Sequence, residues 1–123
     1  MSQRLRLLFV DDEQEILDFL VRVFRDCDSE TALNTESALA CLRRQRFDVL
    51  ITDIKMPGAT GFSLIDSAIE VWPDLPIIVI TGHYPEMPAD ANNKVRHWIL
   101  KPFSIETIRE AVMNSVKKSF DCA

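Results

Sequence analysis

The chain has 123 residues, of which 47% are hydrophobic and 27% charged, and its formal net charge at pH 7 is -5. That length suits one domain, residues 1–123, built on a single core, and the composition excludes the disordered and fibrous classes. The acidic balance argues against a nucleic-acid surface, which needs clustered Lys and Arg to displace phosphate counterions.

Cys27, Cys41 and Cys122 are odd in number, lie far apart and show no metal-like spacing. Neither a disulfide framework nor a zinc site is expected, the cysteines read as small core residues, and the cytoplasm is the default compartment. The opening MSQRLRLLFVDDE holds only a six-residue apolar run, too short for a signal sequence or a membrane span, and no later segment reaches membrane length.

Residues 5–10 (LRLLFV) form the first apolar run and end on the acid pair Asp11 and Asp12. Helical spacing follows over 14–27, where Ile16, Leu20, Phe24 and Cys27, with Leu17 and Val21 beside them, make one stripe. A weaker strand is expected near 29–34, then a helix with cap candidate Thr35 and apolar Ala38, Leu39 and Leu42. Residues 47–52 (FDVLIT) make a second strong strand, and Asp53 stands directly after it. Beyond Gly61, helical spacing returns with Phe62, Ile65, Ala68, Ile69 and Trp72, followed by the strand 75–81 (LPIIVIT). The stretch 83–96 carries two prolines and two adjacent asparagines, so any helix there is short or frayed. The run 97–100 (HWIL) ends on Lys101, and Ser104 caps a last helix carrying Ile105, Ile108, Ala111, Val112 and Val116. Glu106 in its first turn and Lys117 and Lys118 near its end suit the helix dipole.

Short unalternating Val/Ile-rich runs suit strands covered on both faces, and strand and helix alternate about five times. This predicts an α/β protein, a three-layer α/β/α sandwich with right-handed crossovers. In open parallel sheets ligands gather beyond the carboxyl ends of the strands. Asp11, Asp12, Asp53, Thr81 and Lys101 should therefore converge on one edge.

Three carboxylates about 6 Å apart repel by roughly 3 kcal/mol per pair at an effective dielectric near 20, so a cation must sit among them. A few hard oxygen ligands, with room for water and phosphate, suit Mg²⁺, and Lys101 adds a fixed positive charge. An aspartate so flanked can attack phosphorus. Asp53 is the natural nucleophile, alone at the end of a central strand, while Asp11 and Asp12 look like a metal-holding pair and Thr81 could bond a phosphoryl oxygen. Taken singly, Asp11 and Asp12 could be a helix cap and first-turn acid, Asp53 a turn residue and Thr81 a strand-end residue. Only their joint placement at matching strand ends raises the functional reading.

With VDDE at 10–13, TDIKMPGATG at 52–61, IVITGH at 78–83 and ILKPF at 99–103, in that order, the whole chain resembles the receiver domain of two-component response regulators. The resemblance implies a flavodoxin-like, CheY-like five-stranded parallel sheet in the order 2-1-3-4-5. It implies that Asp53 accepts a phosphoryl group from a sensor histidine kinase or a histidine phosphotransfer protein. Mg²⁺ would be held by Asp12, Asp53 and the main-chain carbonyl of Lys55, with Asp11 helping indirectly. Thr81 and Lys101 would engage the phosphoryl group, the Lys101–Pro102 bond would be cis, and Trp98 stands at the switch aromatic, where Tyr or Phe is commoner. As Thr81 is drawn to the phosphoryl group, Trp98 would turn inward and alter the surface around the last strand and helices. Lys55 and His83 occupy the positions that modulate dephosphorylation rate. Such a chain catalyses its own phosphorylation and hydrolysis without turning over an external substrate. A homodimer through the last helices and strand and an output domain outside the chain are open options; membrane and nucleic-acid partners are not expected. Two alternatives stand: a receiver-like interaction module that signals without phosphorylation, and a hydrolytic phosphatase.

Overall fold

The computed structural model describes residues 4–54, 61–82 and 95–121, with side chains of the last helix as far as Val116. Five strands, β1 (Arg6–Val10), β2 (Asp28–Ala32), β3 (Val49–Asp53), β4 (Ile77–Thr81) and β5 (His97–Leu100), form one sheet in the order β2-β1-β3-β4-β5. Every pairing is parallel, as the unalternating apolar runs require. The described helices are α1 (Gln14–Val23), α2 (Thr35–Arg44), α3 (Gly61–Val71) and α4 (Ile105–Asp121).

Period two along the strands sorts the core into two layers. Leu8, Val10, Leu50, Ile77 and Val79 pack with Ala38 and Leu42 of α2 and Leu64 and Ala68 of α3. Leu7, Phe9, Val49, Ile51, Ile78, Ile80 and Ile99 pack on the other face with Leu17 and Leu20 of α1 and Ile108, Ala111 and Val112 of α4. The strands are thus covered on both sides, and β3 and β4 are buried at every residue.

Several boundaries shift from those expected. Strand β3 starts and ends later, so Asp53 is its last residue rather than the residue after it. Helix α1 stops at Val23 because Phe24 leaves helical backbone angles (φ -109°, ψ 38°), and the chain turns there, with the Cys27 N–H donating to the Phe24 carbonyl at 2.8 Å. Phe24 and Cys27 are buried as the stripe predicted, but from a turn, while Val21 is 38% exposed and lies outside it. The cap of α2 is Asn34, not Thr35: its backbone is extended and its side-chain oxygen accepts from the Ser37 N–H at 2.8 Å. Strand β2 occupies 28–32, with the sequence DSETA; it lies at the sheet edge against β1 alone, where little apolar surface is needed. Ser104 caps α4 as expected, its Oγ accepting from the Thr107 N–H at 3.1 Å, although Ile105 is 48% exposed. Cys27 and Cys41 are buried, as expected. Most of the stretch 83–96, the side chains of Lys117 and Lys118, and Cys122 lie outside the described residues. Among the described residues no helix is long and apolar enough to cross a membrane.

Candidate functional site

The alternation that sorts the core also aims the site. Leu7 and Phe9 of β1, Val49 and Ile51 of β3, and Ile99 of β5 face the α1–α4 layer, so period two carries Asp11, Asp53 and Lys101 to that same face at the carboxyl edge. There the Lys101 Nζ donates to Asp53 Oδ2 at 2.9 Å and to Asp11 Oδ2 at 3.0 Å. Three residues separated by up to 90 positions in sequence thus meet at one ammonium.

Backbone bonds hold each of them. The Lys101 N–H donates to the Thr81 carbonyl at 2.9 Å, and the Asp11 N–H to the Ala32 carbonyl at 3.2 Å. Asp11 Oδ1 accepts from the Glu13 N–H at 2.9 Å, a local turn bond ahead of α1, but the N-cap is Glu13 and the first-turn acid Glu15, not Asp11 and Asp12 as the plainer reading had it. The Thr52 hydroxyl donates to the Asp53 carbonyl at 2.8 Å, occupying an acceptor at the strand's end. Lys101–Pro102 is cis, in line with the resemblance.

The electrostatics are those of a site short of positive charge. Burial pushes the Asp11 carboxyl above its ordinary range, against the pull of the Glu13 amide and of Lys101. Burial also acts to lower Lys101, but its hydrogen bonds with Asp53 and Asp11 outweigh this and raise it well above the usual lysine value. The two carboxylates thus favour the charged form of Lys101. It also donates to Glu13 Oε1 at 3.4 Å, so one ammonium serves three carboxylates. One carboxylate oxygen from each of Asp11, Asp12 and Glu13 lies within 4.8 Å of the other two. The exposed Asp12 beside Asp11 supplies hard oxygen donors that fit Mg²⁺, whereas the Glu13 carboxylate is turned onto Lys101.

Among the sequence-derived site residues, Lys101 touches both Asp11 and Asp53, and Asp12 stands beside Asp11, exposed to solvent. Thr81 is fully buried at the end of β4 and is tied to Lys101 through the main chain. Trp98 lies half-buried on the α2–α3 face of β5, stacked on Phe62 with ring centroids 6.3 Å apart and planes 25° off parallel. The ring is therefore already partly packed in this state. Lys55 and His83 fall outside the described residues. Glu13 was not anticipated; its one sequence signal is that it directly follows the acid pair where α1 begins.

Residues 7–113 match the family model described as the response regulator receiver domain. The chain is 32% identical over 125 residues to the two-component response regulator ARR12 of Arabidopsis thaliana, covering 95% of this chain and 20% of that protein. It is 35% identical over 117 residues to the hydrogenase transcriptional regulatory protein HoxA of Cupriavidus necator, covering 86% of this chain and 24% of that protein. It thus spans about a fifth to a quarter of the length of these relatives. A CheY-like response regulator receiver domain protein of Methanospirillum hungatei superposes with a TM-score of 0.90 at 25% identity, over 98% of this chain and all of that one.

Proposed function

The chain belongs to the response regulator receiver domain family, and from that premise we propose that Asp53 is its phosphoryl acceptor. The observation that carries this reading is the Lys101 ammonium joined to both Asp53 and Asp11 at the carboxyl edge of the sheet. A carboxylate oxygen of Asp53 attacks phosphorus, an O–P bond forms, and the bond to the donor's imidazole nitrogen or carboxylate breaks with its electron pair leaving on the donor. Water later attacks the same phosphorus, restoring the Asp53 carboxylate and releasing inorganic phosphate. Lys101 holds positive charge beside the phosphoryl oxygens throughout, because its ammonium does not titrate near neutral pH.

Receiver domains generally bind Mg²⁺ at an acidic pocket, and the donor set here fits it. Asp12 and Asp53, with the main-chain carbonyl of Lys55, would hold the ion, and Asp11 would help indirectly. When bound, it neutralises charge on the transferring group. Thr81 donates its hydroxyl to a phosphoryl oxygen, and Trp98 changes its packing in response, starting from its stack on Phe62. Lys55 and His83 tune the lifetime of the acyl phosphate.

On this reading residues 1–123 form one cytoplasmic receiver domain that performs its own phosphorylation and hydrolysis and turns over no external substrate. Histidine kinases are the partners that the family implies. Direct transfer from a sensor histidine kinase or a phosphotransfer protein, a homodimer through the last helices and strand, and an output domain outside this chain belong to the same proposal.

Incubation with Mg²⁺ and a small acyl phosphate should add one phosphoryl group by intact mass, and the gain should vanish in Asp53→Asn. No gain in the wild type would favour an interaction module that signals without phosphorylation. Continuous release of phosphate over many turnovers would favour a phosphatase.

A further inference from the structure

Glu13 stands at the N-cap of α1, yet its side chain makes no cap hydrogen bond. A cap is ordinarily a short side chain whose oxygen reaches the first free amides of the helix, and glutamate is too long for that task. Asp11 instead accepts the Glu13 N–H, and the Glu13 carboxylate accepts from Lys101 Nζ at 3.4 Å. An ammonium has three hydrogens to donate. Here Asp53, Asp11 and Glu13 take all three.

These three acceptors are unequal. The side chains of Asp11 and Asp53 are 0% and 3% exposed, whereas that of Glu13 is 62% exposed and makes the longest of the three contacts. Parting Lys101 from Asp11 would strand a buried carboxylate without its cation, a costly change. Parting it from Glu13 returns a half-hydrated carboxylate to water at little cost. If Asp53 is the phosphoryl acceptor, a phosphoryl oxygen must find a free donor on Lys101.

We infer that Glu13 is a positioning residue that holds this donor in reserve: its carboxylate occupies the place on Lys101 that a phosphoryl oxygen takes, leaves as the group arrives and returns when the group is hydrolysed. This rests on the reading of Asp53 given above. It assigns Glu13 a part in how strongly the site admits an anion, separate from metal binding and from the chemical step.

The test measures initial phosphorylation rate against acetyl phosphate concentration for the full chain and for Glu13→Gln and Glu13→Asp, with Mg²⁺ affinity measured separately by tryptophan fluorescence. An exposed ion pair contributes about 0.2–1 kcal/mol, so releasing it should lower the half-saturating acetyl phosphate concentration by a factor of about 1.4 to 5 in Glu13→Gln. The maximal rate and the Mg²⁺ affinity should hold within about twofold, a margin of roughly 0.4 kcal/mol. Glu13→Asp keeps the charge but is one methylene short of Lys101, and should behave like Glu13→Gln. The inference is overturned if Glu13→Gln saturates at the same or a higher concentration. It is equally overturned if Glu13→Asp matches wild type, since repulsion through space would then explain the effect, or if Glu13→Gln loses Mg²⁺ affinity severalfold, which would make Glu13 a metal ligand. A wild type that takes up no phosphoryl group overturns the Asp53 reading and this one with it, whereas a phosphorylated wild type with an indifferent Glu13→Gln overturns this one alone.

Discussion

Asp11 lies at the end of β1 with no exposed surface, and burial pushes its carboxyl above the ordinary range. The sign of its effect on stability follows. A raised folded-state value means that the stabilising contribution is present below the unfolded value, about 3.9, and is lost as pH rises through the folded value. At neutral pH the ionised Asp11 is therefore a cost that the fold carries for its site. Asn at this position can still accept the Glu13 N–H, and Lys101 keeps Asp53 and Glu13. Asp11→Asn should raise stability to urea at pH 7 by on the order of 1 kcal/mol, with the gain shrinking toward pH 4, and should impair phosphorylation. A variant less stable than wild type at pH 7 would contradict this. Asp53 and Lys101 were legible from sequence because they stand together at the carboxyl ends of apolar strands, where either alone would read as a turn residue. Glu13 was not, because a residue at the start of a helix can turn its side chain to several neighbours, and only packing chooses among them.

Beyond the shared apolar layer, one side chain of α4 ties that helix to the end of α1 and the turn that follows it. Arg109 donates from both terminal nitrogens to Asp26, at 3.1 and 3.0 Å, and from one of them to the Val23 carbonyl at 2.8 Å, with its guanidinium 5.3 Å from the Phe24 ring centroid. The guanidinium holds the Asp26 carboxyl below its ordinary range. A lowered folded value gives stability that is present above the unfolded value and lost as pH falls through the folded one. The difference between wild type and Asp26→Asn should therefore fade below about pH 4, as followed by urea denaturation across pH 6 to 3. Arg109→Ala should cost more, about 1–2 kcal/mol at pH 7, since it also gives up the carbonyl bond and the aromatic contact. Equal losses in the two variants at pH 7 would show that only the ion pair matters. Sequence periodicity found both helices, but nothing in it pairs residues 83 apart. The same limit explains the misplaced end of α1: apolar spacing continues through Phe24 and Cys27, whereas the turn there is decided by where β2 must begin.

Across the whole molecule, stability should follow the two apolar layers rather than the edge. Leu8 and Phe9 are adjacent in β1 and fully buried on opposite faces. Leu8→Ala should cost about 2–5 kcal/mol and Phe9→Ala about 3–5 kcal/mol in chemical denaturation, because neither layer can collapse around the space left. Thr31→Ala, exposed on the edge strand β2, should change stability by less than about 0.5 kcal/mol. A small effect at Leu8 beside a large one at Phe9 would mean that the α2–α3 layer is loosely packed.

The amino-acid sequence alone determined that strands and helices alternate, that the central strands are covered on both faces and that charged or hydroxylic residues stand at their carboxyl ends, since apolar spacing and burial are local properties of a chain. Tertiary structure decided which side chains share a partner. Strand order and register brought Asp11, Asp53 and Lys101 to one face, turned Glu13 onto the lysine rather than its own helix and laid Trp98 on Phe62. The physical reason is that a hydrogen bond or ring contact depends on distances of a few ångströms between groups far apart in the chain, and those distances exist only once the two apolar layers have closed on the sheet.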